Sequence, residues 1–201
     1  MHIFPDRRFI LASGAPRRRE LMAMLNVNFE VNTSISVDER IPSGSVTCAE
    51  EIPLYLAKIK SEPYRDILSP GDVLVTADTV VILDGEVIGK PADAADAERI
   101  LAKLSGQTHK VVTGVSVTTY EGSKICFSET TFVEFSDLNA DEIHYYVENY
   151  APLDKAGAYG IQEWIGAAAV KGINGSFYNV MGLPVNRLYR ELKQLFNPLK
   201  G

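Results

Sequence analysis

The sequence has little of what a metal framework, a disulfide framework or a membrane anchor requires. Its 201 residues include two cysteines, Cys48 and Cys126, whose isolation indicates reduced, packed thiols. The three histidines, His2, His109 and His144, are scattered and no CxxC or HExxH motif is present, so a structural zinc site is not expected. No run approaches the roughly 18 apolar residues of a membrane span, and the N-terminal stretch MHIFPDRRFI has no apolar signal segment. We therefore expect a cytoplasmic protein without a membrane partner.

Positive charge is also scarce. Lys and Arg number 20 against 26 Asp and Glu, which gives a formal net charge of -6. Such a chain is not expected to bind a nucleic acid polymer, because that requires an extended basic face. A small anionic ligand remains compatible with this charge, since a local cluster of cations can dominate the field inside a cleft. Internal repeats and linkers rich in Ser, Gly or Pro are lacking too, so residues 1–201 are predicted to form a single domain.

Helical and extended patterns alternate along the chain. The stretch RFILAS predicts a first strand, and the helix after it is expected to bury Leu21, Met24 and Leu25 on one face. A capping box, Thr47 with Glu50, is predicted to open the second helix. Turn signals between extended runs predict three hairpins, at Asp84–Gly85, Glu121–Gly122 and Asn174–Gly175. The pattern predicts an α/β fold with a mixed, largely antiparallel sheet and flanking helices.

The stretch LASGAPRRREL places Arg17, Arg18 and Arg19 where the first strand turns into the first helix. Successive helical residues point about 100° apart, so one or two of these side chains can face a site while the rest face solvent. The amides and dipole of a helix N-terminus attract anions, and the guanidinium fork suits phosphate. The triplet thus indicates an anion site beside Ser13, with a solvated run of charge as the alternative.

Asp78 follows the apolar run VLVTA and is expected to end a strand, where a carboxylate has no packing role. Because ligands bind at strand ends in α/β sheets, Asp78 is a candidate general base or metal ligand. Asp38 and Glu39, in a polar loop, would add oxygen ligands for a hard cation such as Mg²⁺. The alternative for Asp78 is a carboxylate hydrogen-bonded to nearby backbone.

Two further stretches contain candidate ligand-binding residues. GEVIGKP lacks the spacing of a phosphate-binding P-loop, which excludes a P-loop NTPase. Lys90 in this stretch is either a cation presented to phosphate or an ordinary lysine at a hairpin end. In DKAGAYGIQ, the small residues 156–158 allow a ligand close to the backbone. Gln162 there is either a surface amide or one that reads a base.

Seven stretches occur in the order and spacing of the Maf-like proteins: LASGAPRRREL, VDE, LAKIK, ADTVV with DGEVIGKP, LSGQTHKVVTGV, DKAGAYGIQ and INGSFYNVMGLP. From Ile10 to Leu195 the sequence resembles this family of nucleoside triphosphate pyrophosphatases, historically associated with septum formation. The resemblance implies a deep cleft between two lobes. It also implies a divalent cation, Mg²⁺ or Mn²⁺, and cleavage of a nucleoside triphosphate to the monophosphate and pyrophosphate. One departure is Ala15, where the family usually has a serine whose hydroxyl adds a phosphate contact.

The resemblance further implies roles for individual residues. Asp78 matches the proton-accepting aspartate, and Glu39 matches an acid that joins Asp78 in binding the metal. Arg17, Thr79 and Gln162 match positions assigned to substrate selection. Arg18, Lys60 and Lys90 match further cations of the family's cleft. With Ser13 and Lys155, the full set of predicted substrate-binding residues is Ser13, Arg17, Arg18, Lys60, Thr79, Lys90, Lys155 and Gln162.

Within the family, YGIQ resembles the branch that prefers dTTP and UTP. The amide of Gln162 offers two donors and an acceptor, which can match the N3–H and carbonyl groups of thymine or uracil. We therefore expect a pyrophosphatase of dTTP and UTP, modified pyrimidine nucleotides included. Two alternatives stay open: a nucleotide-binding regulator of cell division with little turnover, and a pyrophosphatase of 7-methylguanosine triphosphate. The oligomeric state also stays open, a homodimer included.

Overall fold

The structure, a computed structural model, describes residues 2–196 and is built on a mixed sheet that has seven strands within that range. The strands are β1 (Arg8–Leu11), β2 (Phe29–Val31), β3 (Asp72–Leu83), β4 (Glu86–Ile88), β5 (Thr108–Thr119), β6 (Lys124–Phe135) and β7 (Val170–Asn174). They lie in the order β2-β1-β3-β5-β6-β7, and β4 pairs with the later part of β3. β1 is parallel to β2 and β3, and the other pairs are antiparallel. This confirms the mixed, largely antiparallel sheet predicted from the sequence.

Helices cover both faces of the sheet. They are α1 (Pro16–Met24), α2 (Ile52–Ser61), α3 (Ala94–Leu104), α4 (Ala140–Tyr150), α5 (Trp164–Ala168), α6 (Phe177–Met181) and α7 (Val185–Phe196), with 3₁₀ turns at Ala49–Glu51, Glu62–Ile67, Pro152–Asp154 and Ala156–Ala158. Side chains cap two of the longer helices: Asp93 accepts from the amide of Asp96, and Asn139 forms a capping box with Glu142. Among residues 2–196, no helix is both long and apolar enough to cross a membrane.

Alternating side chains of β3 divide between two apolar layers, because successive residues of a strand point to opposite faces. Odd-numbered residues such as Val73 and Val75 join the main core, which also contains Leu21 of α1 and Leu188 of α7. Even-numbered residues face the other way, where the Thr76 hydroxyl donates to a carbonyl of α2. Asp78 and Thr79 therefore leave β3 on opposite faces of the sheet.

Two predicted local features are wrong. The expected hairpin at Asn174–Gly175 is not formed, because the side chain of Ser176 accepts from the amide of Asn179 and starts α6 instead of a strand. The first helix buries Leu21 and Leu25 as predicted, but Met24 is 59% exposed. The buried face runs from Leu21 to Met22, and at about 100° per residue Met24 lies outside it.

The predicted capping box at the start of α2 is also wrong. A 3₁₀ turn precedes the helix, which begins only at Ile52. Pro53 lies in its first turn, where the missing proline N–H leaves no helical hydrogen bond unmade. Glu50 pairs instead with Lys110 at 2.6 Å, and the amide of Thr47 donates to Glu51.

Candidate active site

A gap beside the middle of β3 opens a cavity. β1 accompanies β3 only as far as Val75, and β4 begins to pair only at Val81. Between these positions β3 is flanked by β5 alone, and a cavity of about 590 Å³ lies against it. Asp78 thus does not end its strand as predicted. It lies in the middle of β3, and the strand that ends nearby is β1, which leaves Asp78 accessible.

Ten of the site residues predicted from the sequence line this one cavity. They are Ser13, Arg17, Arg18, Glu39, Lys60, Asp78, Thr79, Lys90, Lys155 and Gln162. Arg19 is exposed and outside the lining, so two arginines of the triplet face the cavity, in line with the helical geometry. Asp38 is also outside the lining, and its carboxylate accepts from the guanidinium of Arg40.

Arg18 joins three walls of the cavity. Its guanidinium donates to the carbonyl of Gly182 at 2.8 Å, to the hydroxyl of Thr79 at 3.0 Å and to that of Ser13 at 3.3 Å. Burial lowers the pKa of Arg18, but an arginine begins so high that it stays charged. Because a guanidinium has five N–H donors, Arg18 can hold this framework and still donate to an anion.

Ala15 occupies the N-cap position of α1 and provides no side-chain hydrogen bond there. The serine usual in the family would place a hydroxyl at this helix end, where such groups satisfy free amides. Ser13 compensates in part, since its hydroxyl oxygen accepts from the Ala15 amide at 3.3 Å. Ala15 in place of the family's serine therefore leaves α1 without a side-chain cap, while Ser13 still holds the loop.

A carboxylate that the sequence had not singled out bridges two of the cations. Asp154 accepts from Nη1 of Arg17 and from Nζ of Lys155, each at 2.9 Å. Burial alone would raise the pKa of Asp154, but the hydrogen bonds from Lys155 and Arg17 outweigh it and lower the pKa. Lys155, buried, also contacts Glu163 at 3.2 Å. Asp154 thus keeps two cations side by side at the mouth of the cavity.

On the opposite wall, Lys60 lies between two carboxylates. Its Nζ is 2.7 Å from Oδ1 of Asp78 and 3.1 Å from Oε2 of Glu39. Lys60 is near the end of α2, which packs tightly on β5 because Gly114 has no side chain: a Cβ there would be 2.2 Å from the amide nitrogen of Leu54. The helix therefore brings Lys60 against Asp78, whose partner in β5 is this same glycine.

The same two carboxylates are the candidate ligands for a divalent cation. The described chain contains no group of three or more His, Cys, Asp or Glu side chains arranged for a metal. Mg²⁺, however, is commonly bound by one or two carboxylates together with substrate phosphates and water. Glu39 and Asp78, which share a contact to Lys60, fit a cation that arrives with its polyphosphate. They do not fit a site made of protein ligands alone.

Lys90 and Gln162 are two polar residues of the cavity lining whose side chains have no partner in the described chain. Both are exposed, and within residues 2–196 neither makes an ion pair or a side-chain hydrogen bond. Their segments are joined where the amide of Gly157 donates to the carbonyl of Gly89 at 3.0 Å. Gly157 has φ +70, and a Cβ on it would lie 2.9 Å from a methyl of Val81, so glycine is required here. The two backbone segments that carry an unpartnered ammonium and an unpartnered amide are thus held together.

The fold and this site define an α/β protein with a cleft suited to a polyphosphate ligand, since five cations and three carboxylates surround one cavity. The profile of the Maf-like proteins matches residues 8–195, and the chain belongs to this family. It is 52% identical over 188 residues to the dTTP/UTP pyrophosphatase of Phocaeicola vulgatus, covering 94% of this chain and 96% of that one. The protein of the same description from Porphyromonas gingivalis is 48% identical over 188 residues, 92% of this chain and 93% of that one.

A solved structure shares the fold at much lower identity. The Ham1 protein of Staphylococcus aureus superposes with a TM-score of 0.55 at 19% identity, over 94% of this chain and all of that one. At this identity the likeness concerns the fold alone.

Proposed function

We propose that this protein is a nucleoside triphosphate pyrophosphatase that hydrolyses dTTP and UTP. The observation that carries the proposal is the cavity itself, in which a carboxylate, several cations and a free amide face one space. Relatives about half identical over nearly the whole chain are named for this activity. The same cleft then both binds the substrate and contains the catalytic residue. The triphosphate lies on the side of α1 and the base on the side of Gln162.

The cations neutralise the triphosphate. Arg17 and Arg18 reach the cavity from α1, Lys155 from the opposite loop, and Lys90 from the end of β4. Asp154 gives up part of its contact with Arg17 and Lys155 when phosphate oxygens replace it. Mg²⁺ or Mn²⁺, when bound beside Glu39 and Asp78, supplies further charge neutralisation on the phosphate oxygens. A net negative chain thus accepts a highly negative ligand.

The reaction proposed is attack of water on the α-phosphorus. Asp78 removes a proton as the water oxygen forms its bond to phosphorus, and the bond from that phosphorus to the bridging oxygen breaks. Pyrophosphate leaves with the electron pair of that bond, and the nucleoside monophosphate remains. Lys60, 2.7 Å from Asp78, holds the carboxylate in place and stays close to the charge that develops on the phosphate.

Gln162 selects the base in this proposal. Its amide can accept from N3–H and donate to a carbonyl of uracil or thymine, whereas cytosine presents an amine and an unprotonated N3. A buried mismatch of donors and acceptors is strongly unfavourable, so a site built on such bonds discriminates well. Uracil and thymine differ by a methyl group, and both are expected to be accepted.

A panel of triphosphates tests the proposal. Initial rates of pyrophosphate release should be well above background for dTTP and UTP and far lower for dCTP, dATP and dGTP, and Gln162→Ala should remove the preference. Equal rates for all of them would contradict the base assignment. A preference for 7-methylguanosine triphosphate would place the protein in the other branch, and binding without turnover would indicate a nucleotide-binding regulator.

A further inference from the structure

The turn that contains Gln162 is tied at both ends to the hydroxyl of Tyr146. The amide of Glu163 donates to the carbonyl of Gly160 at 3.0 Å, which closes the turn 160–163. The amide of Gly160 donates to the hydroxyl oxygen of Tyr146 at 3.0 Å, and that hydroxyl donates to a carboxylate oxygen of Glu163. These bonds form a closed circuit around the backbone of Gln162 and leave its side chain free.

Glu163 is folded back over this turn. It occupies the N-cap position of α5 but makes no capping hydrogen bond. Its carboxylate lies against Gly160 instead, where a Cβ would be 2.7 Å from Cδ of Glu163. Its other oxygen contacts Nζ of Lys155 at 3.2 Å. The turn is thereby linked to a cation of the phosphate side.

Tyr146 is held rigidly under the turn. Its ring is fully buried and stacks on Tyr150 and Trp164, with ring centroids 5.1 and 6.5 Å away. Burial, and then the hydrogen bond to Glu163, raises the pKa of the Tyr146 hydroxyl, so the group remains a proton donor. Within the described chain, neither Tyr146 nor Glu163 lines the cavity, whereas Gly160 and Gln162 do. Any effect of the pair on a ligand must pass through the turn.

We infer that Tyr146 and Glu163 are positioning residues for base selection, which hold the turn 160–163 so that Gln162 meets the base in one orientation. The inference rests on the proposed role of Gln162. An amide discriminates between uracil and cytosine only if its oxygen and nitrogen are presented in a defined order. Gln162 has no side-chain partner within residues 2–196, so the backbone beneath it sets the place and direction from which its amide reaches the base.

Tyr146→Phe tests the inference, because it removes the hydroxyl and keeps the buried ring. The matched control is Tyr145→Phe, on the same helix, whose ring packs on Trp164 at 5.0 Å and whose hydroxyl is outside the circuit. We expect Tyr146→Phe to lower the ratio of kcat/KM for UTP over CTP by about tenfold, mainly through a higher KM for UTP. Tyr145→Phe should leave the ratio unchanged.

Two variants of Glu163 provide a second measurement should Tyr146→Phe fail to fold. Glu163→Gln keeps an oxygen that accepts from Tyr146 and should retain the ratio within about threefold, whereas Glu163→Ala should lose it about tenfold. The double variant Tyr146→Phe with Gln162→Ala should have the same ratio of kcat/KM for UTP over CTP as Gln162→Ala alone, because Tyr146 acts on the ratio only through Gln162.

If kcat/KM falls equally for UTP and CTP in Tyr146→Phe or Glu163→Ala, so that the ratio of the two is unchanged, the inference is overturned and these residues have a structural role only. A wild-type protein that does not discriminate between UTP and CTP would contradict the proposed base preference. The wild-type measurement alone separates that outcome from failure of the inference.

Discussion

Asp78→Asn is the substitution that separates catalysis from folding most cleanly. Asparagine has nearly the same shape as aspartate and keeps an oxygen that can accept from Lys60. In the wild-type protein, Nζ of Lys60 is 2.7 Å from Oδ1 of Asp78. Lys60 also keeps its contact with Glu39 at 3.1 Å, so the ammonium is not left without a carboxylate. The side chains of Lys60 and Asp78 are 18% and 15% exposed, so weakening this mostly buried pair should lower the free energy of unfolding by about 1–3 kcal/mol.

The effect on the activation free energy should be larger. Removal of a general base typically lowers kcat by about 10²–10⁴, which is about 3–5 kcal/mol of activation free energy. The assay is pyrophosphate release from UTP at saturating substrate, with thermal unfolding of the same preparation as the measure of stability. Asp38→Asn is the matched control, because Asp38 lies in the neighbouring loop and pairs with Arg40 outside the cavity lining. Near wild-type kcat in Asp78→Asn would remove Asp78 from the mechanism.

Three further predictions concern the cations of the cavity, the divalent metal and the buried His109. Lys90→Ala should raise KM for UTP and change the free energy of unfolding by less than about 0.5 kcal/mol. Arg18→Ala should raise KM and also destabilise the fold, because Arg18 joins three walls of the cavity. Unchanged kinetics in both variants would show that neither charge contacts the substrate. Turnover should require Mg²⁺ or Mn²⁺ and stop in excess chelator, and full activity in chelator would refute a metal beside Glu39 and Asp78. Burial lowers the pKa of His109 from 6.5 to about 4, so the unfolded chain binds the extra proton first and stability is lost as pH falls from 6.5 toward 4. Denaturant titrations should show a loss of roughly 2 kcal/mol between pH 7 and pH 5 that is absent in His109→Gln, and equal pH dependence of the two proteins would contradict it.

Local signals in the sequence were sufficient for several elements. The turn at Asp84–Gly85 is formed as predicted, with φ of 52° and 83° at its two residues, which is the left-handed backbone that such a hairpin turn requires. The motifs of the family place ten side chains around one cavity, although their individual roles stay predictions.

What the sequence did not predict depends on partners distant along the chain. β3 continues through Asp78 because β5 pairs with it over ten successive residues, and no signal next to Asp78 reports that pairing. The hairpin signal at Asn174–Gly175 is locally as strong as the correct signal at Asp84–Gly85, yet a helix follows it. Tyr146 and Glu163 are 17 residues apart in different elements, and nothing in either motif indicates that they meet.

The position of bond cleavage tests the central claim most directly. UTP is hydrolysed in water enriched in ¹⁸O, and the isotopic composition of the separated products is measured by mass spectrometry. The position of the ¹⁸O shows which phosphorus the water attacked. Attack on the α-phosphorus predicts one ¹⁸O atom in UMP, none in pyrophosphate, and equal amounts of the two products. Formation of UDP and phosphate, or ¹⁸O recovered in pyrophosphate, would contradict the proposed reaction.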